Sequence, residues 1–283
     1  MNPLLMLGIL LIGIISFGIT IRGKLAILKS LDATNRSGDI GERIKSVLSI
    51  AVGQKKLIGR KKERISGIMH ALIFWGFCIL LIRSLTLIGE GFQSGFHLPL
   101  FNDSNILGYG YIMLKDVAEG IVLCMILFAL YRRIIIKPKR MHNSAEAYFV
   151  LIAIGLLMVT DLVYDGARYN LIQVFENRGN WFFYNNPDWG NEFIWTPVAV
   201  IFGKGFTGLG QSVNTIILHV SFWLHIICLM VLLNFLPIGK HFHVITALPN
   251  VFLKTLKFPH EKTKLLDLEN EAAWEDESLG LNH

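Results

Sequence analysis

Five of the nine histidines in this 283-residue chain fall inside or at the end of strongly apolar runs: His70, His219, His225, His241 and His243. An imidazole drawn into a bilayer loses its hydration, so it normally has a partner or a function. Haem iron is one such partner, because a neutral imidazole nitrogen makes a strong axial bond to it. The plainer alternative is a hydrogen bond from one helix to its neighbour. The other four, His97, His142, His260 and His283, occupy loop, span-start or tail positions with ordinary surface explanations.

His225 and His243 are eighteen residues apart. On one helix of about 3.6 residues per turn that is five turns, so both would project from the same face. The rise of about 27 Å nearly equals the depth of the hydrocarbon core, which predicts one site near each side of the membrane. His219, six residues before His225, faces roughly 120° away, and His241 points nearly opposite to His243. Pro237 lies between the two sites and is a kink position. His70 follows Lys61, Lys62 and Arg64, which set its depth near the basic face, as the tail sets that of His243. Pairing His70 with His243 predicts a bis-histidine, low-spin haem b.

The elements that carry these residues follow from composition. The chain is 53% hydrophobic and 17% charged, with a mean hydropathy of +0.50, which places it in the membrane class. Five apolar runs predict five spans, at about 3–21, 65–89, 109–130, 145–163 and 213–236. The first has no basic lead-in and no small-residue cleavage site, so it reads as a retained helix and not a signal peptide. The stretch 193–206 is too short and too rich in glycine to span, and reads as interfacial. The loop 23–64 holds eleven Lys or Arg and the connection 132–140 holds five, whereas 90–108 holds none. By the positive-inside rule the N-terminus is outside and the C-terminus cytoplasmic. The net charge of +6 is then a topology signal, with no folded basic surface to suggest nucleic acid. Cys78, Cys124 and Cys228 stand singly, so covalent c-type haem, a zinc ribbon and a cysteine-held cluster are excluded in this chain.

Between the spans, Ile40–Ala51 reads as an amphipathic helix with Ile40, Ile44, Val47, Leu48 and Ala51 on one face. Attraction to anionic lipid is its first reading, and docking of a partner its second. The outer loop 165–210 is aromatic, with Trp181, Phe182, Phe183, Tyr184, Trp189 and Trp195, and reads as a cap at the headgroup level. Two acid-containing sets, Lys115, Asp116 and Glu119 in span three and Asp161, Tyr164 and Asp165 in span four, read first as salt-bridged packing and second as proton relays. The tail carries Asp267, Glu269, Glu271, Glu275, Asp276 and Glu277 and reads as solvated.

The stretch HIICLMVLLNFLPIGKHFHVITALPN, His225 to Asn250, resembles the last helix of the nitrate reductase gamma-subunit family of b-type cytochromes. In that pattern a His is followed by a Pro twelve residues on, a basic residue, and a second His eighteen residues after the first. Here these are His225, Pro237, Lys240 and His243. The stretch ERISGIMHALIFWGF, Glu63 to Phe77, is similar to the second helix of the membrane domains attached to heterodisulfide-reductase-like iron–sulfur proteins. These include electron-transfer-flavoprotein:menaquinone oxidoreductases. The resemblance covers about residues 1–265. It implies a cytoplasmic-side haem between His70 and His243, a site for a quinone such as menaquinone, and a cytoplasmic iron–sulfur partner. The nitrate reductase pattern has a further His in span two, ten residues after the first, where this chain has Leu80. An outer haem at His225 is therefore open between absent, five-coordinate, and completed by another residue such as Met113. In fused members a cysteine-rich ferredoxin-like domain follows. The expectation here is a separate cluster subunit, or a different use of the membrane domain.

The sequence thus predicts an all-α, five-helix integral membrane bundle in the inner (cytoplasmic) membrane, residues 1–245, followed by an acidic tail, 246–283. His70, His243, His225 and His219 are the cofactor-binding candidates, the first three as ligands to haem iron. The function expected is electron transfer between a quinone pool and an iron–sulfur partner. The competing reading is a haem-free anchor or transporter whose histidines pack helices or move protons.

Overall fold

The computed structural model describes residues 2–29, 38–59, 64–101, 105–138, 144–177, 194–254 and 256, and among these it is helical with no strand. The long helices are α1 (Pro3–Lys29), α4 (Arg64–Phe92), α5 (Ile106–Tyr131), α6 (Ala145–Asn177) and α8 (Gln211–Phe235). Shorter ones are α2 (Ile40–Ser46), which continues as a π-helical turn Val47–Val52, then α3 (Lys55–Ile58), α7 (Pro197–Lys204) and α9 (His243–Phe252). Four of the long helices, α1, α4, α6 and α8, are long and apolar enough to cross a membrane. Helix α5 has 26 residues, but Lys115, Asp116 and Glu119 interrupt its apolar character.

The starts and stops have local causes. The Asn105 side chain accepts a hydrogen bond from the Gly108 amide at 2.8 Å and caps α5. The Asn2 side chain does the same for the Leu4 and Leu5 amides at the start of α1. Helix α8 stops at Phe235, two residues before Pro237, and Gly239 at φ 94° then turns the chain into α9. Helix α6 runs well past the expected end at residue 163, to Asn177.

The long helices form a ring. Helix α1 packs on α8, α8 on α6, α6 on α5, α5 on α4, and α4 back on α1. Direct contact across the ring between α4 and α8 is slight, which leaves a space between them. Close crossings depend on glycine: a Cβ on Gly76 would lie 2.1 Å from a Val122 methyl, and one on Gly166 would lie 3.0 Å from the Gly203 Cα. Large exposed side chains such as Leu4, Ile12 and Ile19 cover α1, as expected of a helix facing lipid.

The short helix α7 matches the segment expected to be too short to span. It is hooked onto the bundle at both ends. Asp116, fully buried, accepts from the Val198 and Ala199 amides at 2.7 and 2.9 Å, and Asn170 donates to the Gly203 carbonyl at 2.8 Å. Asp116 is therefore a cap on a neighbouring helix, which answers the choice between packing and relay for this residue. Asp116→Ala is expected to destabilise the protein by about 1.5–3 kcal/mol, since two charge-assisted bonds are lost. A lowered unfolding temperature in detergent would register it, with Asp116→Asn milder.

The expected tail boundary at residue 245 falls inside α9, and the acidic positions from Asp267 onward lie outside the described residues. So do Trp181, Phe182, Phe183, Tyr184 and Trp189 of the aromatic loop.

Candidate functional site

His70 on α4 and His243 at the first residue of α9 come together, with ring centroids 6.3 Å apart and planes inclined by 35°. Metal–imidazole bonds are about 2 Å, so two rings sharing one iron would have centroids about 6 Å apart. The separation thus leaves room for a single metal atom between the rings. Both rings are accessible from outside the bundle. His241 lies beside them, 6.4 Å from His243 and 6.0 Å from the Phe235 ring. The spacing argument along one continuous helix does not hold, because α8 ends before Pro237 and His243 opens a new helix. The pairing of His70 with His243 arises from the turn at Gly239 and not from a shared face.

His225 sits elsewhere. It is buried on α8 and lines a cleft between α4, α5, α6 and α8, with about 750 Å³ of empty space including its mouth. The walls are mostly apolar, among them Ile73, Phe77, Leu80, Val122, Leu157 and Leu229. The Thr160 hydroxyl donates to the Leu156 carbonyl at 2.8 Å, so its oxygen is left to accept from His225 Nδ1 at 3.1 Å. That hydrogen-bond network assigns the proton to Nδ1 and leaves a lone pair on Nε2. Nε2 is buried and has no hydrogen-bond partner among the described residues. A neutral imidazole oriented by a hydroxyl, with an unused nitrogen in an apolar cleft, is the form a metal would take up. Leu80 lines the same cleft where a second imidazole would be expected, and Met113 is exposed and lines no part of it.

His219 is exposed on α8 and its Nδ1 bonds the Thr215 carbonyl of its own helix at 2.8 Å. It lines neither the cleft nor the His70–His243 pair. Among the described residues no group of three or more His, Cys, Asp or Glu gathers as a metal cluster.

At the far end of the bundle the two acid-containing sets join through Arg83. Its guanidinium meets Asp161 at 3.0 Å and Asp165 at 2.8 Å, and Lys115 meets Asp165 and also Glu119, the latter at 3.4 Å. All five side chains are buried. Tyr164 donates to Glu90 at 3.2 Å and lies under the Arg83 guanidinium. Beside them is a more polar pocket of about 510 Å³, mouth included, lined by Arg83, His97, Tyr111, Lys115, Asp165 and Thr196 among others. Sequence reasoning missed this pocket and the Thr160–His225 bond, because neither follows from spacing within a single helix.

Two curated proteins are similar to the chain. One is the "Probable iron-sulfur-binding oxidoreductase FadF" of Bacillus subtilis, 28% identical over 90% of this chain and 33% of its own length. The other is the "EtfAB:quinone oxidoreductase" of Syntrophomonas wolfei, 20% identical over 79% of this chain and 29% of its own length. The chain thus spans about a third of the length of the curated relatives it matches. No family model and no solved structure matches it.

Proposed function

We propose that this chain is a b-type cytochrome of the inner membrane, similar to nitrate reductase gamma subunits, that carries electrons between a quinone and a cytoplasmic iron–sulfur partner. The observation that carries this reading is the His70–His243 pair, contributed by two separate helices at a spacing suited to one iron. The names of the two relatives, one iron–sulfur-binding and one quinone-linked, support the two ends of the electron path. In this reading α5 is the fifth span, its charged residues tolerated because they are paired inside the bundle.

Haem supplies one-electron steps across the low-dielectric barrier. The chain's own residues do the rest. His70 and His243 hold one group, and His225, oriented by Thr160, offers a single ligand for a second. The polar pocket fits a quinone head: Tyr111, Lys115 and the buried Thr196 hydroxyl, which has no hydrogen-bond partner among the described residues, offer donors to quinone oxygens. Asp165 at the same wall offers an acceptor for a proton. The buried network around Arg83 also favours a second reading, proton movement without haem.

A reduced-minus-oxidised spectrum of the purified protein separates the two. A b-type α-band is the expected result, and its absence after haem-replete expression refutes the cytochrome.

A further inference from the structure

The basic end of the bundle carries a segment that packs inward through a buried cation. In Ile40–Gly59 the apolar face of Ile40, Ile44 and Leu48 is exposed, and the buried residues are Arg43, Ala51 and Gln54. The outward face suits acyl chains; the inward face holds two other elements. At one end, Arg43 donates to the Phe252 and Lys254 carbonyls at 2.7 and 3.0 Å, and to the Gly38 carbonyl at 2.7 Å. Carbonyls at the end of a helix lack intrahelical partners, and a cation is favoured there. The helix so gripped is α9, which His243 opens. At the other end, the Trp75 indole donates to the Val52 carbonyl at 2.7 Å. The backbone of α3 also lies so close to Gly67 that a Cβ there would sit 2.3 Å from the Leu57 carbonyl oxygen. Gly67 and Trp75 flank His70 on α4.

Helices α4 and α9 share little direct packing, and α9 has only ten residues with Pro249 among them. A helix that short does not hold its own position. We propose that Ile40–Gly59 is a clasp that sets the spacing of His70 and His243, with Arg43 as its positioning residue. As a proposal about haem geometry this rests on the cytochrome reading. As a proposal about the two helices it stands apart from it.

The test therefore has two readouts on the full chain. In a background with Cys78, Cys124 and Cys228 replaced by serine, His70→Cys and His243→Cys are combined and their oxidative cross-linking is timed. Adding Arg43→Ala is expected to slow the cross-link about fivefold, from the loss of charge-assisted hydrogen bonds, and Arg43→Lys to restore part of the rate. In the histidine-containing protein, Arg43→Ala is expected to change the low-spin electron paramagnetic resonance anisotropy and shift the midpoint potential of the haem. If Arg43→Ala does not accumulate in membranes, Trp75→Phe loosens the clasp from the other end. Unchanged cross-linking in both variants overturns the clasp. Slowed cross-linking, together with no haem in the histidine-containing protein, upholds the clasp and refutes the cytochrome.

Discussion

His70→Ala and His243→Ala are each expected to abolish one and the same low-spin b-haem signal. A bis-histidine iron that loses either axial imidazole becomes five-coordinate or is released, so the two variants must have the same consequence. The rings belong to helices far apart in sequence and meet at 6.3 Å. The two rings stand on separate helices, so a shared spectroscopic loss points to a shared ligand. His219→Ala serves as the control, since that side chain is exposed and bonded to its own helix, and it is expected to leave the signal intact. Retention of the signal in either His70→Ala or His243→Ala refutes the pairing.

His225 completes the comparison. Its Nε2 has no hydrogen-bond partner among the described residues, and His225 is the one histidine among the described residues lining the apolar cleft. A group bound there through this nitrogen would differ from the first in spin state, so His225→Ala would remove a different spectral component and leave the His70–His243 signal in place.

The parts of this molecule that were legible in the sequence are those governed by transfer of apolar residues out of water. The runs 65–89 and 213–236 become α4 and α8 with ends shifted by up to three residues, the run 3–21 becomes α1 but continues eight residues further to Lys29, and 193–206 contains a short helix too short to span. The same reasoning stops α6 too early, because Asp161 and Asp165 lower the hydropathy of a stretch whose charges Arg83 and Lys115 satisfy. The nearness of His70 and His243 was legible from their similar depth beside basic segments; the shared face expected of His225 and His243 was not formed, because the helix breaks at Pro237 and Gly239. The amphipathic segment 40–51 was legible as a helix but not in what it grips. Its Ile40, Ile44 and Leu48 are exposed, as a lipid-facing reading expects, but Ala51 of the same expected face is buried and Arg43 takes an inner position that the pattern did not signal. Contacts across helices, such as Thr160 with His225 or Arg43 with Phe252, leave no periodic signal to read.

The largest loss of stability is expected at Arg83. Its guanidinium engages Asp161 through both Nε and Nη2, and Asp165 through Nη2. Lys115 is the other cation in a buried cluster that also holds Glu119. Arg83→Met leaves three buried carboxyls facing one lysine, and breaking a buried pair from one side costs about 3–5 kcal/mol. Replacing a pair by apolar groups is often neutral, so Arg83→Met with Asp161→Leu is expected to unfold at a higher temperature than Arg83→Met alone. Arg83→Lys falls between wild type and Arg83→Met, since a point charge cannot bond two carboxylates in the plane that the guanidinium provides. Thermal unfolding in detergent orders the four proteins, and a double variant no more stable than Arg83→Met would show that the cluster is not the source of the loss. Arg83 and its partners also form the wall between the apolar cleft at His225 and the polar pocket at Lys115, since Arg83 lines both. A group that must keep water and protons on one side and an apolar cofactor on the other has reason to be charged, buried and rigid at once. This explains why the bundle keeps an ion network that a purely structural helix contact would not need.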